Sequence, residues 1–257
     1  MGCGCTIRRP LIDRRKSVNG KPARALRCRR SQETFGVSNQ DEDIANELQY
    51  RVAIRFVIDG DIRFISHHDT MRLFERALSR AQLPVRFSRG FNPRPRLSLP
   101  LPRAVGIAGA AELLVVDLEE PLDPAVVLDK LREQMPAGLT LSEARSIAGK
   151  HPPQAVRADY ALALPPDRAK EVGQRMKDLL AASMWNIQRS GPGTKRPREL
   201  DVRQYLAGGA VCEGILRWTV RVTGAGSLRP AELLAAVGLP PQDWQHHVRR
   251  TSVEWSF

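Results

Sequence analysis

Between residues 50 and 57 apolar and polar positions alternate: Val52, Ile54 and Phe56 are separated by Arg51, Ala53 and Arg55. A period of two is that of a half-buried strand. Asp59-Gly60-Asp61 predicts a turn, and Arg63-Phe64-Ile65 a short extended stub. The period then becomes helical. Leu73, Phe74, Ala77, Leu78 and Ala81 share one face of a helix predicted over 68–82, with Ser66 as its cap and Asp69 as the acid of a capping box. Pro84 precedes a short strand at 85–87, and Pro93 and Pro95 exclude helix from the loop that follows. Residues 97–99 re-enter a sheet, 111–118 form a strongly apolar strand, Asp123-Pro124 starts a helix to about 134, and 139–144 give a last strand. The order β-α-β-β-α-β predicts a ferredoxin-like α+β domain over 49–148, its helices on one face of an antiparallel sheet and the other face open for binding.

His151-Pro-Pro153 reads as a link to a second, degenerate α+β domain over 155–257. There the pattern predicts strands at 160–164, 184–188, 215–223 and 248–255. It places helices at 167–182 and 230–237, a short helix at 201–206, and a flexible basic loop at 189–198 carrying Lys195, Arg196 and Arg198. No exact repeat links the two halves. Residues 1–45 show neither period and predict a disordered extension. Its Met-Gly-Cys-Gly-Cys-Thr opening fits a myristoylation pattern formally, and its Arg-rich character faintly resembles a transit peptide; a dispensable extension is the plainer reading.

Charge changes this picture only when located. The net charge is +12, but residues 1–40 hold ten Lys/Arg against Asp13 and Glu33, which leaves +4 for the rest. Within the folded part, residues 51–110 hold eleven Arg and four acids, whereas 111–150 hold four bases and eight acids. A basic segment of this kind is an electrostatic footprint for an anion such as RNA; its plainer reading is a solvated surface. No apolar run reaches the roughly 18–20 residues that span a bilayer. Of the four cysteines, Cys3, Cys5 and Cys28 lie in the extension and only Cys212 in a folded region. That is no disulfide framework and fits a reducing, cytoplasmic compartment. Cys3-x-Cys5 supplies only part of a metal site.

The densest run of unusual residues is 61–96. Ser66-His-His-Asp-Thr-Met-Arg72 is followed by Ser88-Arg-Gly-Phe-Asn-Pro-Arg-Pro-Arg96. With the stretches 102–106, 112–120 and 226–232, this pair of motifs resembles the radical SAM-linked family also described as DUF2344, over residues 50–253. His68 stands where that family usually has Leu, and Arg94 where it usually has His. The resemblance implies a partner, a radical SAM protein with a cobalamin-type domain, which carries the [4Fe–4S] cluster and S-adenosylmethionine. This chain lacks the C-x-x-x-C-x-x-C run through which three thiolates hold such a cluster. It also lacks a phosphate-binding G-x-x-x-x-G-K-S/T and an H-E-x-x-H.

The expected function is therefore a non-catalytic companion that holds substrate for the radical SAM enzyme, with RNA the leading substrate class. Arg63, His67, Asp69, Arg72, Arg76, Arg89, Phe91, Asn92, Arg94 and Arg96 are its candidate binding residues. Arg89, Arg94 and Arg96, on a proline-stiffened loop, suit bidentate phosphate contact, and Phe91 is a stacking platform or a loop anchor. Ser66 and Asp69 have the structural reading of a cap, and Arg72, Arg76 and Arg80 that of a solvated helix face. No cofactor is expected in this chain. Two alternatives stand beside this one: a metal-independent RNA-processing enzyme with His67 as base, and a pure docking module for the radical SAM protein.

Overall fold

The computed structural model describes residues 50–149, 151–189 and 197–257. All belong to the compact unit Asp43–Phe257. The extension predicted for 1–45 and the basic loop with Lys195 and Arg196 lie outside the described residues.

Tyr50–Ile58 forms β1, and its alternation does what the pattern predicts: Val52, Ile54, Phe56 and Ile58 are buried under helices. The predicted stub at 63–65 is instead the end of a 3-10 turn, Gly60–Phe64. The Asp59 carboxylate accepts the Gly60 N–H at 2.8 Å and winds the chain there. Helix α1, His67–Arg80, buries Thr70, Phe74, Ala77 and Leu78, with Phe74 edge-on to Phe56 at 5.1 Å. Ser66 Oγ accepts the Asp69 N–H at 3.1 Å and its hydroxyl donates to the Asp69 carboxylate at 2.7 Å, so the cap is made as the sequence suggests. The first half continues through β2 (Leu97–Ser98), β3 (Ala108–Leu118), α2 (Pro124–Arg132) and β4 (Leu139–Ile147).

In the second half β5 (Gln154–Ala163) is followed by α3 (Pro166–Ala181), a hairpin of β6 (Asn186–Arg189) with β7 (Arg198–Asp201), and β8 (Leu206–Cys212). Then come β9 (Ile215–Arg221), α4 (Pro230–Ala236), the short α5 (Pro241–Trp244) and β10 (Arg249–Ser256). The short helix predicted at 201–206 is reduced to a 3-10 turn. Asp201 closes β7, where its carboxylate accepts the N–H groups of Trp185 and Arg203, and the turn, Arg203–Tyr205, leads into β8. Strand β8 itself is an element that periodicity does not predict.

The protein is α+β, and one mostly antiparallel sheet carries both halves in the order β4-β1-β3-β10-β5-β9-β8, with β2 on β3. Taken separately, the first half has the neighbours β4-β1-β3-β2 and the second β10-β5-β9-β8. With the β6–β7 hairpin set aside, each is the fourth, first, third and second strand of a β-α-β-β-α-β unit. The second half therefore repeats the complete ferredoxin-like order. The halves are sewn by a short parallel pairing, Arg249 with Ala108 and Arg250 with Gly109. Strand β3 thus gives one end of its outer edge to β2, at Val115 and Val116, and the other to β10.

Two cores fill the helix side, one under α1 and α2 and one under α3 and α4. The opposite face of the first half is not open, contrary to the expectation of a free binding face. Ala53, Leu113 and Val115 are buried there, with Ile147 and Trp255 packed against them. The Arg51–Asp117 pair is buried on the same face, and the Gly149 carbonyl accepts from Arg51 at 3.1 Å. Because β3 is apolar on both faces, it needs cover on both.

Candidate functional site

The predicted site residues fall into two groups. The first is the loop. Arg86 N–H donates to the Asp117 carbonyl, Asp117 N–H to the Arg96 carbonyl, and Arg96 N–H to the Arg86 carbonyl, which fixes the loop's base at the edge of β3. Further out, Phe87 pairs with Pro95 as an isolated bridge. Ser88 N–H donates to the Arg94 carbonyl at 2.8 Å, and Arg94 N–H to Ser88 Oγ at 3.0 Å. Gly90, at φ +145°, takes the turn in a conformation closed to residues with a Cβ. At the tip Phe91 is fully exposed, and Arg89, Asn92 and Arg94 are exposed too. Among the described residues neither the Arg89 nor the Arg94 side chain has an ion-pair or hydrogen-bond partner. Arg96 differs: its Nε lies 3.8 Å from Asp117 Oδ2, a carboxylate already held by Arg51 at 2.7 Å.

The second group surrounds the start of α1. The Asp69 carboxylate faces Arg72 at 3.6 Å, and the Ser66 hydroxyl holds its pKa below the ordinary carboxylate value. His67 borders a cavity of about 10 Å³ with Thr70, Leu101, Arg103 and Glu112, space for about one water. Burial, then His68 and Arg103, lower its pKa, so the imidazole is neutral near pH 7. Arg63 reaches Asp59 at 3.6 Å and lies over the Phe64 ring. On the outer face of α1, Arg80 donates to Gln134, whereas Arg76 is exposed with no partner among the described residues. The loop's base is tied to Asp117 and His67 faces Glu112. Five residues of strand put roughly 16 Å between these points. That is their spacing along β3; α1 itself packs against β2, the strand that follows the loop.

Between the halves lies a third constellation that sequence reasoning missed. Arg250, on β10, is 2% exposed, and its guanidinium forms a two-pronged pair with the Glu112 carboxylate on β3. Leu101 and Pro102 offer it their carbonyls at 3.3 and 3.4 Å. Burial works against its charge, but Glu112 and then Tyr160 hold its pKa above the ordinary value. Gly109 makes room for this pair: a Cβ there would collide with the Glu112 carboxylate. Beside it Arg103 donates to the carbonyls of Arg63 at 2.7 Å, Ala104 at 3.2 Å, Ile107 at 2.6 Å and Ile65 at 3.5 Å. Lone acids in an otherwise apolar strand, Glu112 and Asp117, are a legible signal of buried pairing. The partner of Glu112 stands 138 residues away and is not.

Among the described residues no group of three or more His, Cys, Asp or Glu stands together to hold a metal ion, and Cys212 is exposed. No described helix is long and apolar enough to cross a membrane.

Fold and site together define the class: an α+β protein of doubled ferredoxin-like topology, sewn at a seam by a buried Arg–Glu pair. Residues 51–230 match the family described as DUF2344, uncharacterized protein conserved in bacteria, and the chain belongs to that family. No curated protein matches it. One solved structure, of an unknown protein from Galdieria sulphuraria, is similar at 11% identity over 81% of this chain and 98% of that one. Its TM-score is 0.25.

Proposed function

We propose that this protein is a non-catalytic companion of a radical SAM enzyme and that it holds an RNA substrate, the partner carrying the [4Fe–4S] cluster and S-adenosylmethionine in the cytoplasm. The partnership follows from the sequence resemblance. The RNA reading rests on the loop: Phe91 stands fully exposed between Arg89 and Arg94, whose side chains have no partner among the described residues. An aromatic ring flanked by guanidinium groups on a hydrogen-bonded support suits a single-stranded base and its phosphates.

The test is anisotropy titration of a labelled single-stranded RNA across a salt series. Binding should weaken steeply with salt, and the double variant R89A/R94A should flatten the log–log slope by about 1.4, that is, about 0.7 per phosphate contact. Absence of RNA binding, or a slope that the double variant leaves unchanged, removes the RNA reading. Partnership is tested separately, by purifying the tagged protein from its native cells before and after nuclease treatment. Retention of the radical SAM protein together with nuclease-sensitive RNA supports the adaptor. Retention of protein alone turns the chain into a docking module. Cleavage of RNA by the purified chain, lost in His67→Ala, makes it an enzyme; the one-water cavity beside His67 favours local packing instead.

A further inference from the structure

At the seam lies an open-mouthed cavity of about 410 Å³, a volume typical of small-molecule sites. Its walls come from both halves and are mainly apolar, Leu101, Ile107 and Val220 among them. Three arginines are among its lining residues, Arg103, Arg229 and Arg250, and no Asp or Glu is. Tyr160, stacked on Trp218, adds a phenol, and Ser227 and Gln245 add two further polar groups.

The charges around it do not cancel. Glu112 serves Arg250. Arg103 hydrogen-bonds only carbonyl oxygens; burial pulls its pKa below the ordinary value, although the charge of Glu112, already engaged by Arg250, works the other way. Arg229 reaches Glu232 at no better than 4.0 Å, because that carboxylate is held by Arg189 at 2.6 Å. Arg229, more than half exposed and lining a largely apolar hollow, suits an anion that brings its own apolar body.

We propose that this cavity binds a small molecule with an apolar body and one anionic group, a carboxylate, sulfonate or phosphate, which the Arg229 guanidinium holds. The site is separate from the loop and stands whether or not the loop binds RNA.

Two fluorescent probes with nearly the same rings separate charge from greasiness: 8-anilinonaphthalene-1-sulfonate, an anion, and the uncharged N-phenyl-1-naphthylamine. The folded full chain should bind the sulfonate saturably at one site and about tenfold more tightly than the neutral probe, the gain of one charge-assisted contact. Arg229→Gln should weaken the sulfonate several-fold without affecting the neutral probe. Ala231→Trp should block both by filling the hollow; Ala104→Trp on another part of the wall does the same if the first variant fails to fold. Equal affinity for the two probes, or sulfonate binding that persists in a folded filled variant, overturns the proposal.

Discussion

The arginines of the seam and those of the loop are the same residue put to opposite uses. Arg250 and Arg103 spend their donors on Glu112 and on backbone carbonyls. They join β3, β10 and the segment between β2 and β3 where two sheets become one. Arg89 and Arg94 sit on a loop whose shape is set by its own backbone hydrogen bonds, and they hold nothing. A guanidinium presents five donors in a rigid fork, which suits buried acceptors and external phosphates alike. A count of arginines therefore says little about nucleic acid; what matters is whether a rigid support leaves them without an acceptor. Of the row on α1, Arg72 faces Asp69 and Arg80 faces Gln134, so only Arg76 joins the loop pair in that condition.

The contrast is broken most severely by Glu112→Ala. The substitution strands the Arg250 charge at 2% exposure, and losing one partner of a buried pair costs about 3–5 kcal/mol. Denaturant unfolding should show it, while R89A/R94A should change stability by less than about 0.5 kcal/mol. A Glu112→Ala loss below about 1 kcal/mol, the range of a surface pair, would mean that the seam is not held by this contact. Gly109→Ala comes next. Its methyl meets the Glu112 carboxylate rather than open space, and overpacking of this kind costs about 1–3 kcal/mol. If Glu112→Ala relieves part of the Gly109→Ala penalty in the double variant, the two act through one contact; additive effects refute that.

Phe91→Ala sharpens the other side. A ring that is fully exposed contributes nothing to the core, so unfolding should be unaffected. Yet RNA affinity should fall by about 1–3 kcal/mol if a base stacks there. An unchanged affinity assigns Phe91 no part in binding.

How much of this was legible follows the same division. Alternation in β1, the cap at Ser66 and the apolar stretch of β3 are local signals, and each produced its element. Periodicity does not predict β8 because Leu206-Ala-Gly-Gly-Ala-Val-Cys212 lacks alternation and has Val211 as its one β-branched residue. A side chain at Gly209 would lie 2.8 Å from the Met176 sulfur, so the strand approaches α3 too closely for large residues. The covered face of the first half is signalled by β3 being apolar on both sides, but part of its cover, Trp255, comes from the far end of the chain. The loop is legible because its residues are unusual in a local window. The seam is not, because Arg103, Glu112 and Arg250 acquire meaning only when β10 is laid beside β3.

The smallest expected effect is a pH dependence located at the seam side of α1. Folding lowers the His67 pKa, first by burial and then through His68 and Arg103. His247, also shifted down by burial, His246 and Arg63, adds to it. The unfolded chain therefore binds more protons than the folded one as pH falls below about 6.5, and stability must fall with it. Thermal unfolding between about pH 7 and pH 5 should show a decline that is shallower in His67→Gln. Asp59 and Asp69, whose pKa values are lowered by hydrogen bonds to Gly60 and Ser66, act in the same direction only nearer the carboxylate range. The two windows separate the contributions. A decline of unaltered slope in His67→Gln would show that the imidazole keeps its solution pKa on folding, and that it stands in water rather than against Arg103.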